Sequence, residues 1–131
     1  LFFLPDNEQP GVYARRFSKD RKEVKDSEYN NIWIDIFEKY PEDDKKFFWS
    51  FAVAYYNPKN KSKSVICIEP TYYVSGYFSK RYPAGYPMSA IMAAEPKGKP
   101  FSDMTDAEKY AVDHKNFAPF VASLKTWLKK Q

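Results

Sequence analysis

The chain has 131 residues, 44% hydrophobic, 29% charged and 19% aromatic. That is the size of one ordinary domain, able to build a core without a metal or disulfide staple. A single cysteine, Cys67, excludes a disulfide framework and any cysteine-rich zinc module. The net charge of +4 permits an anionic partner without requiring one, and no apolar run is long enough to cross a bilayer as a helix.

The chain opens on Leu1-Phe2-Phe3-Leu4 and then Pro5, so residues 1–11 are expected to form an extended arm that anchors in a core or a neighbour. The first residue is not Met, which suits a processed product or a fragment of something longer. A short strand is expected over Val12–Phe17 and a solvated loop over Ser18–Lys25. Asp26 and Ser27 are good N-caps, and Ile32, Ile36, Phe37 and Tyr40 recur at helical spacing until Pro41, with Trp33 on the shoulder of that face.

In Phe47–Tyr56 the odd positions are large, and the even ones include Ser50, Ala52 and Ala54. This predicts one strand covered on both faces, with helices received by the small side. A lysine-bearing loop, Asn57–Ser64, turns the chain into Val65–Glu69 as an antiparallel hairpin. Beyond Pro70, the alternation of Tyr72, Val74 and Phe78 predicts another strand, in which Gly76 marks a bulge or a close approach by other backbone. Tyr82–Pro87 is turn-rich, and Met88–Ala94 reads as a strand with a helix as the rival reading.

Thr105 and Glu108 have capping-box spacing, which starts a helix at Asp106 with Ala107, Tyr110, Ala111 and His114 inward. Phe117, Phe120, Val121, Leu124 and Leu128 mark a second amphipathic stretch, unless one long helix runs through Pro119. The expected architecture is therefore α+β: a single domain with an antiparallel sheet of about four strands, the first helix and the C-terminal helical segment 103–131 packed on one face.

Catalytic chemistry has little to draw on. One histidine, His114, falls on an apolar helix face, and Cys67 sits between Ile66 and Ile68, where a small buried hydrophobe is the ordinary role. Glu42, Asp43 and Asp44 are followed by Lys45 and Lys46 and do not by themselves define a carboxylate pair. No metal-ligand spacing, Walker loop or dinucleotide fingerprint occurs, so no cofactor is expected and an enzyme is the less favoured class.

The most unusual feature is a run of tyrosines. Tyrosine supplies large contact area at low entropic cost and is enriched at interfaces. The leading expectation is a non-catalytic accessory subunit binding other protein subunits through Phe2, Phe3, Tyr72, Tyr73, Tyr77 and Tyr86, with Lys80 and Arg81 on the rim. A processed organellar setting, mitochondrial above all, suits it best, with a secreted one as the alternative. The runner-up is binding of RNA or another polyanion through Arg15, Arg16, Lys59, Lys61 and Lys63. The third is a small-ligand pocket with His114 or Tyr110 at its mouth.

Overall fold

The computed structural model of the protein describes Asn7, residues 22–40 and residues 45–131. The expected arm at residues 1–11, the strand Val12–Phe17, residues 18–21 of the expected loop Ser18–Lys25 and the carboxylates at 42–44 lie outside the described residues, Asn7 apart. The chain divides into two compact units, one of residues 1–47 and 72–104, the other of residues 48–71 and 105–131. The class is α+β, with two helices and antiparallel sheets. The strands divide three and two between separate sheets rather than forming one four-stranded sheet.

In the first unit, helix α1 (Asp26–Lys39) buries Tyr29, Trp33 and Phe37. These recur every four residues, so their Cβ atoms stack along one stripe. Trp33 therefore stands at the centre of the buried face, not on its shoulder, because the largest rings on the helix claim the core. Lys25 is the N-cap. The Asp26 carboxylate does not cap the helix but accepts a hydrogen bond from the Gly85 N–H at 2.7 Å.

The sheet of this unit has the order β1 (Lys46–Phe48), β4 (Thr71–Val74), β5 (Met92–Ala93). Strands β4 and β5 are antiparallel, Tyr73 opposite Ala93 and Val74 opposite Met92. The segment expected as a strand from Met88 is a buried 3-10 turn, Pro87–Ala90, followed by the short β5. Both readings of that run thus hold part of the truth. Phe47, Tyr72 and Phe101 complete the core with the inward rings of α1, Tyr72 lying 6.2 Å from Phe47 and 5.7 Å from Phe101.

The second unit is a hairpin and a helix. Strands β2 (Phe51–Tyr56) and β3 (Lys63–Ile68) pair antiparallel from Phe51–Ile68 to Tyr56–Lys63. Asn57 and Asn60 each accept a backbone N–H two residues on, at 3.0 Å, and the Asn57 N–H bonds the Ser62 carbonyl. This is the local side-chain chemistry that turns a chain tightly. The single strand expected over Phe47–Tyr56 is broken at Trp49–Ser50. There the Trp49 N–H reaches the Pro70 carbonyl, and the Ser50 hydroxyl donates to Glu69 at 2.6 Å, so β1 and β2 enter different sheets.

Helix α2 (Asp106–Leu128) starts where the capping box predicts. Thr105 Oγ1 accepts the Glu108 N–H, and the Glu108 carboxylate accepts the Thr105 N–H at 2.7 Å. It runs unbroken through Pro119. It covers the large odd face of β2 and not the small even face. Phe51 meets Phe117 edge-on at 5.1 Å, Tyr55 lies 5.7 Å from Trp127, and the Tyr55 hydroxyl donates to the Phe120 carbonyl. A two-stranded ribbon with one helix buries one face, and the aromatic face removes more apolar area from water. Ala52, Ala54 and Cys67 on the other face are exposed. Cys67 is accordingly not the buried hydrophobe its flanking isoleucines suggest.

Candidate interaction surface

The tyrosines expected at an interface part company in the structure. Tyr72 is only 4% exposed and belongs to the core, since its position on β4 points it between Phe47 and Phe101. Tyr73 is half-buried. Tyr77 and Tyr86 are exposed, at 52% and 43%, and Phe78 between them is exposed as well. Lys80 and Arg81 are exposed beside them. Phe2, Phe3, Arg15 and Arg16 lie outside the described residues.

The loop that presents Tyr77 and Phe78 is fixed from behind. Ser75 N–H bonds the Ile91 carbonyl, Gly76 N–H the Gly98 carbonyl and Ser79 N–H the Ala90 carbonyl, each at 2.9 Å. Three side chains of this bent segment, whose Arg81 N–H turns back onto the Ser79 hydroxyl at 3.1 Å, then converge on one carboxylate. The Tyr77 hydroxyl reaches Asp103 at 3.1 Å, the Ser79 hydroxyl at 2.9 Å and the Arg81 guanidinium at 2.9 Å. The neighbouring residues Gly76 and Phe78 line an open cleft of about 490 Å³ with Phe37, Glu38, Lys45 and Lys97. Further along, Tyr86 is set by its N–H to the Pro83 carbonyl and by its hydroxyl 3.9 Å from the Met92 sulfur.

Asp103 is thus a fastening for the aromatic loop, and sequence reasoning missed it. The Ser79 hydroxyl, and after it Arg81 and Tyr77, hold its carboxyl below the ordinary carboxylate range. Withdrawal from water, and then donation to Asp103, pushes the Tyr77 hydroxyl up. A depressed carboxyl contributes stability above its unfolded pKa, near 4, and loses that contribution as pH falls through the folded value. Asp103→Asn is therefore expected to melt below the wild type at neutral pH, with the gap closing in acid as wild-type Asp103 takes up its proton. Thermal melts of both proteins across the acid range check this; a gap that stayed constant would show that the carboxylate charge is not what fastens the loop.

The basic residues also regroup. Lys59, Lys61 and Lys63 are exposed at the hairpin tip. The side-chain carbonyl of Gln131 accepts from Asn57 at 3.0 Å, from Asn60 at 3.1 Å and from the Ser62 hydroxyl. This brings the end of α2, with Lys129 and Lys130, to the same end of the unit. Tyr110 and His114 are exposed on α2, their rings 5.9 Å apart, and are not part of an inward face. Among the described residues no group of His, Cys, Asp or Glu side chains could hold a metal ion, and no helix is long and apolar enough to cross a membrane. No protein-family model, curated protein or solved structure matches the chain.

Proposed function

We propose that the protein is a non-catalytic interaction module, an accessory subunit that docks onto a protein partner through Tyr77, Phe78 and Tyr86, with Lys80 and Arg81 on the rim. The observation that carries this reading is that the loop bearing Tyr77 and Phe78 is braced by backbone hydrogen bonds and by Asp103 while its rings stay exposed. An aromatic anchor already held in place loses little freedom on binding, so more of its burial appears as affinity. The convergence of Lys59, Lys61, Lys63, Lys129 and Lys130 supports a second reading, contact with RNA or another polyanion at the far end of the hairpin.

One comparison tests both. Wild type and a Tyr77→Ser/Tyr86→Ser variant are immobilised and exposed to extract from the source at ~0.15 M and ~0.5 M salt, conditions that separate screened charge contacts from apolar ones. A defined set of proteins, retained at both salts and depleted at least about tenfold by the variant, a loss of about 1.4 kcal/mol, is the expected result. Equal retention by the two proteins would overturn the aromatic-loop reading. RNA that is retained equally by both and released at the higher salt would favour the lysine end instead.

A further inference from the structure

Helix α2 is amphipathic twice over. Asn116, Phe120, Ser123 and Trp127 fall on the side turned to the hairpin and are half-buried, and no residue of the helix is fully buried. About a third of a turn away runs a second stripe: Tyr110, His114, Phe117, Val121, Leu124 and Leu128. Its spacing alternates four and three residues over its whole length, which is the heptad seam of a helix that packs against another helix. Phe117 is shared with the hairpin, but Tyr110 is 70% exposed, Leu128 55% and Val121 51%. Scattered exposed apolar residues are ordinary; a continuous seam of them in register is not. Pro119 falls on the opposite side of the helix, so its missing N–H does not interrupt the seam.

We infer that two copies of this chain pair through α2, antiparallel. The sequence of the seam is self-complementary in that direction. Reversing one copy sets Tyr110 against Leu128, His114 against Leu124 and Phe117 against Val121, each a large ring or imidazole against an aliphatic residue, the alternation that fills knobs-into-holes packing. Charge points the same way. Residues 106–116 carry Asp106, Glu108 and Asp113 against Lys109 and Lys115, a slight acidic excess, while residues 117–131 carry Lys125, Lys129 and Lys130 and no acidic side chain. Antiparallel copies bring the acidic part of each beside the basic part of the other and oppose the two helix dipoles; parallel copies would crowd lysine on lysine. The seam is about 27 Å long at 1.5 Å per residue, a small interface, so the pairing is reversible and concentration-dependent. It uses none of the aromatic-loop residues, so either proposal can fail alone.

Sedimentation velocity of the full chain from about 5 to 500 µM, a range that brackets weak pairing, is expected to show monomer passing to dimer. Val121→Glu, at a half-exposed position where folding tolerates a charge, is expected to weaken association at least about tenfold with an unchanged thermal melt. Orientation is read in a Cys67→Ser background by mixing His114→Cys and Leu124→Cys proteins and oxidising the thiols. The antiparallel pair gives the mixed 114–124 disulfide, whereas parallel pairing gives only links between like positions and overturns the stated geometry. A chain that stays monomeric throughout leaves the seam to another occupant and overturns the inference, as does a dimer indifferent to Val121→Glu.

Discussion

Trp33→Ala is expected to be the most damaging single truncation in the molecule. Trp33 is 1% exposed, and its ring lies 6.2 Å from that of Tyr29 and 5.9 Å from that of Phe37, the two other buried rings of α1. Removing a buried Trp side chain forfeits its transfer free energy and leaves a cavity that flanking rings, themselves anchored on the helix, fill only in part. The expected cost is about 3–5 kcal/mol, a large share of the roughly 5–15 kcal/mol that holds an ordinary domain folded. Urea unfolding checks it through a midpoint that falls well below the wild type's with a similar slope. Phe117→Ala, where the ring is half-buried on α2, is the comparison and should cost less. Equal midpoints for Trp33→Ala and wild type would mean that α1 does not carry the core of its unit.

The sequence spoke clearly wherever the signal was local. Thr105 and Glu108 start α2 at the expected residue because both partners of a capping box lie within one turn. The hairpin β2–β3 follows from alternation on either side of a turn-forming loop. Gly76 reads from sequence as a bulge or a close approach by other backbone, and it is the second: the Lys97 carbonyl approaches it. What failed was the choice of covered face. Periodicity shows which residues share a side, but only the partner element decides which side is buried. In β2 the alternation predicts cover on both faces, with a helix on the small alanine side; the helix lies on the aromatic face and the alanine face is exposed, since a two-stranded ribbon with one helix covers only one face. In α2 two apolar stripes compete, and Tyr110 lost to Phe120 and Trp127 because Tyr55 on the hairpin meets Trp127 and donates to the Phe120 backbone. The same limit explains the candidate site. Tyr72 and Tyr77 look alike in sequence, yet one sits between Phe47 and Phe101 and the other faces water, and Asp103 was invisible because its three partners come from a segment more than twenty residues earlier.

Gly76→Ala is the second large expected effect, and it bears on the aromatic loop directly. A Cβ at position 76 would stand 2.4 Å from the Lys97 carbonyl oxygen and 3.1 Å from its carbon. Those are backbone atoms and cannot swing aside as the end of a side chain can. Lys97 has little freedom to yield, since its φ of 56° already places it in the left-handed region, which costs a residue with a Cβ roughly 1–2 kcal/mol. The hydrogen bond from Gly76 N–H to the Gly98 carbonyl lies at the same crossing, so separating the two segments also weakens a brace of the loop. Overpacking of this kind costs about 1–3 kcal/mol and at times more. Gly85→Ala is the informative contrast: nothing lies within 4 Å of its added methyl, and its penalty comes from a φ of +80° alone. Thermal melts should therefore place Gly76→Ala below Gly85→Ala. Because Tyr77 follows Gly76 directly, Gly76→Ala should also speed amide exchange at position 76 and at Ser79, whose N–H groups donate across the crossing, relative to wild type, whereas Gly85→Ala should leave those amides protected. Unchanged protection in Gly76→Ala would mean that the loop is held by Asp103 alone, and that Tyr77 owes its outward placement to that carboxylate and not to the backbone crossing.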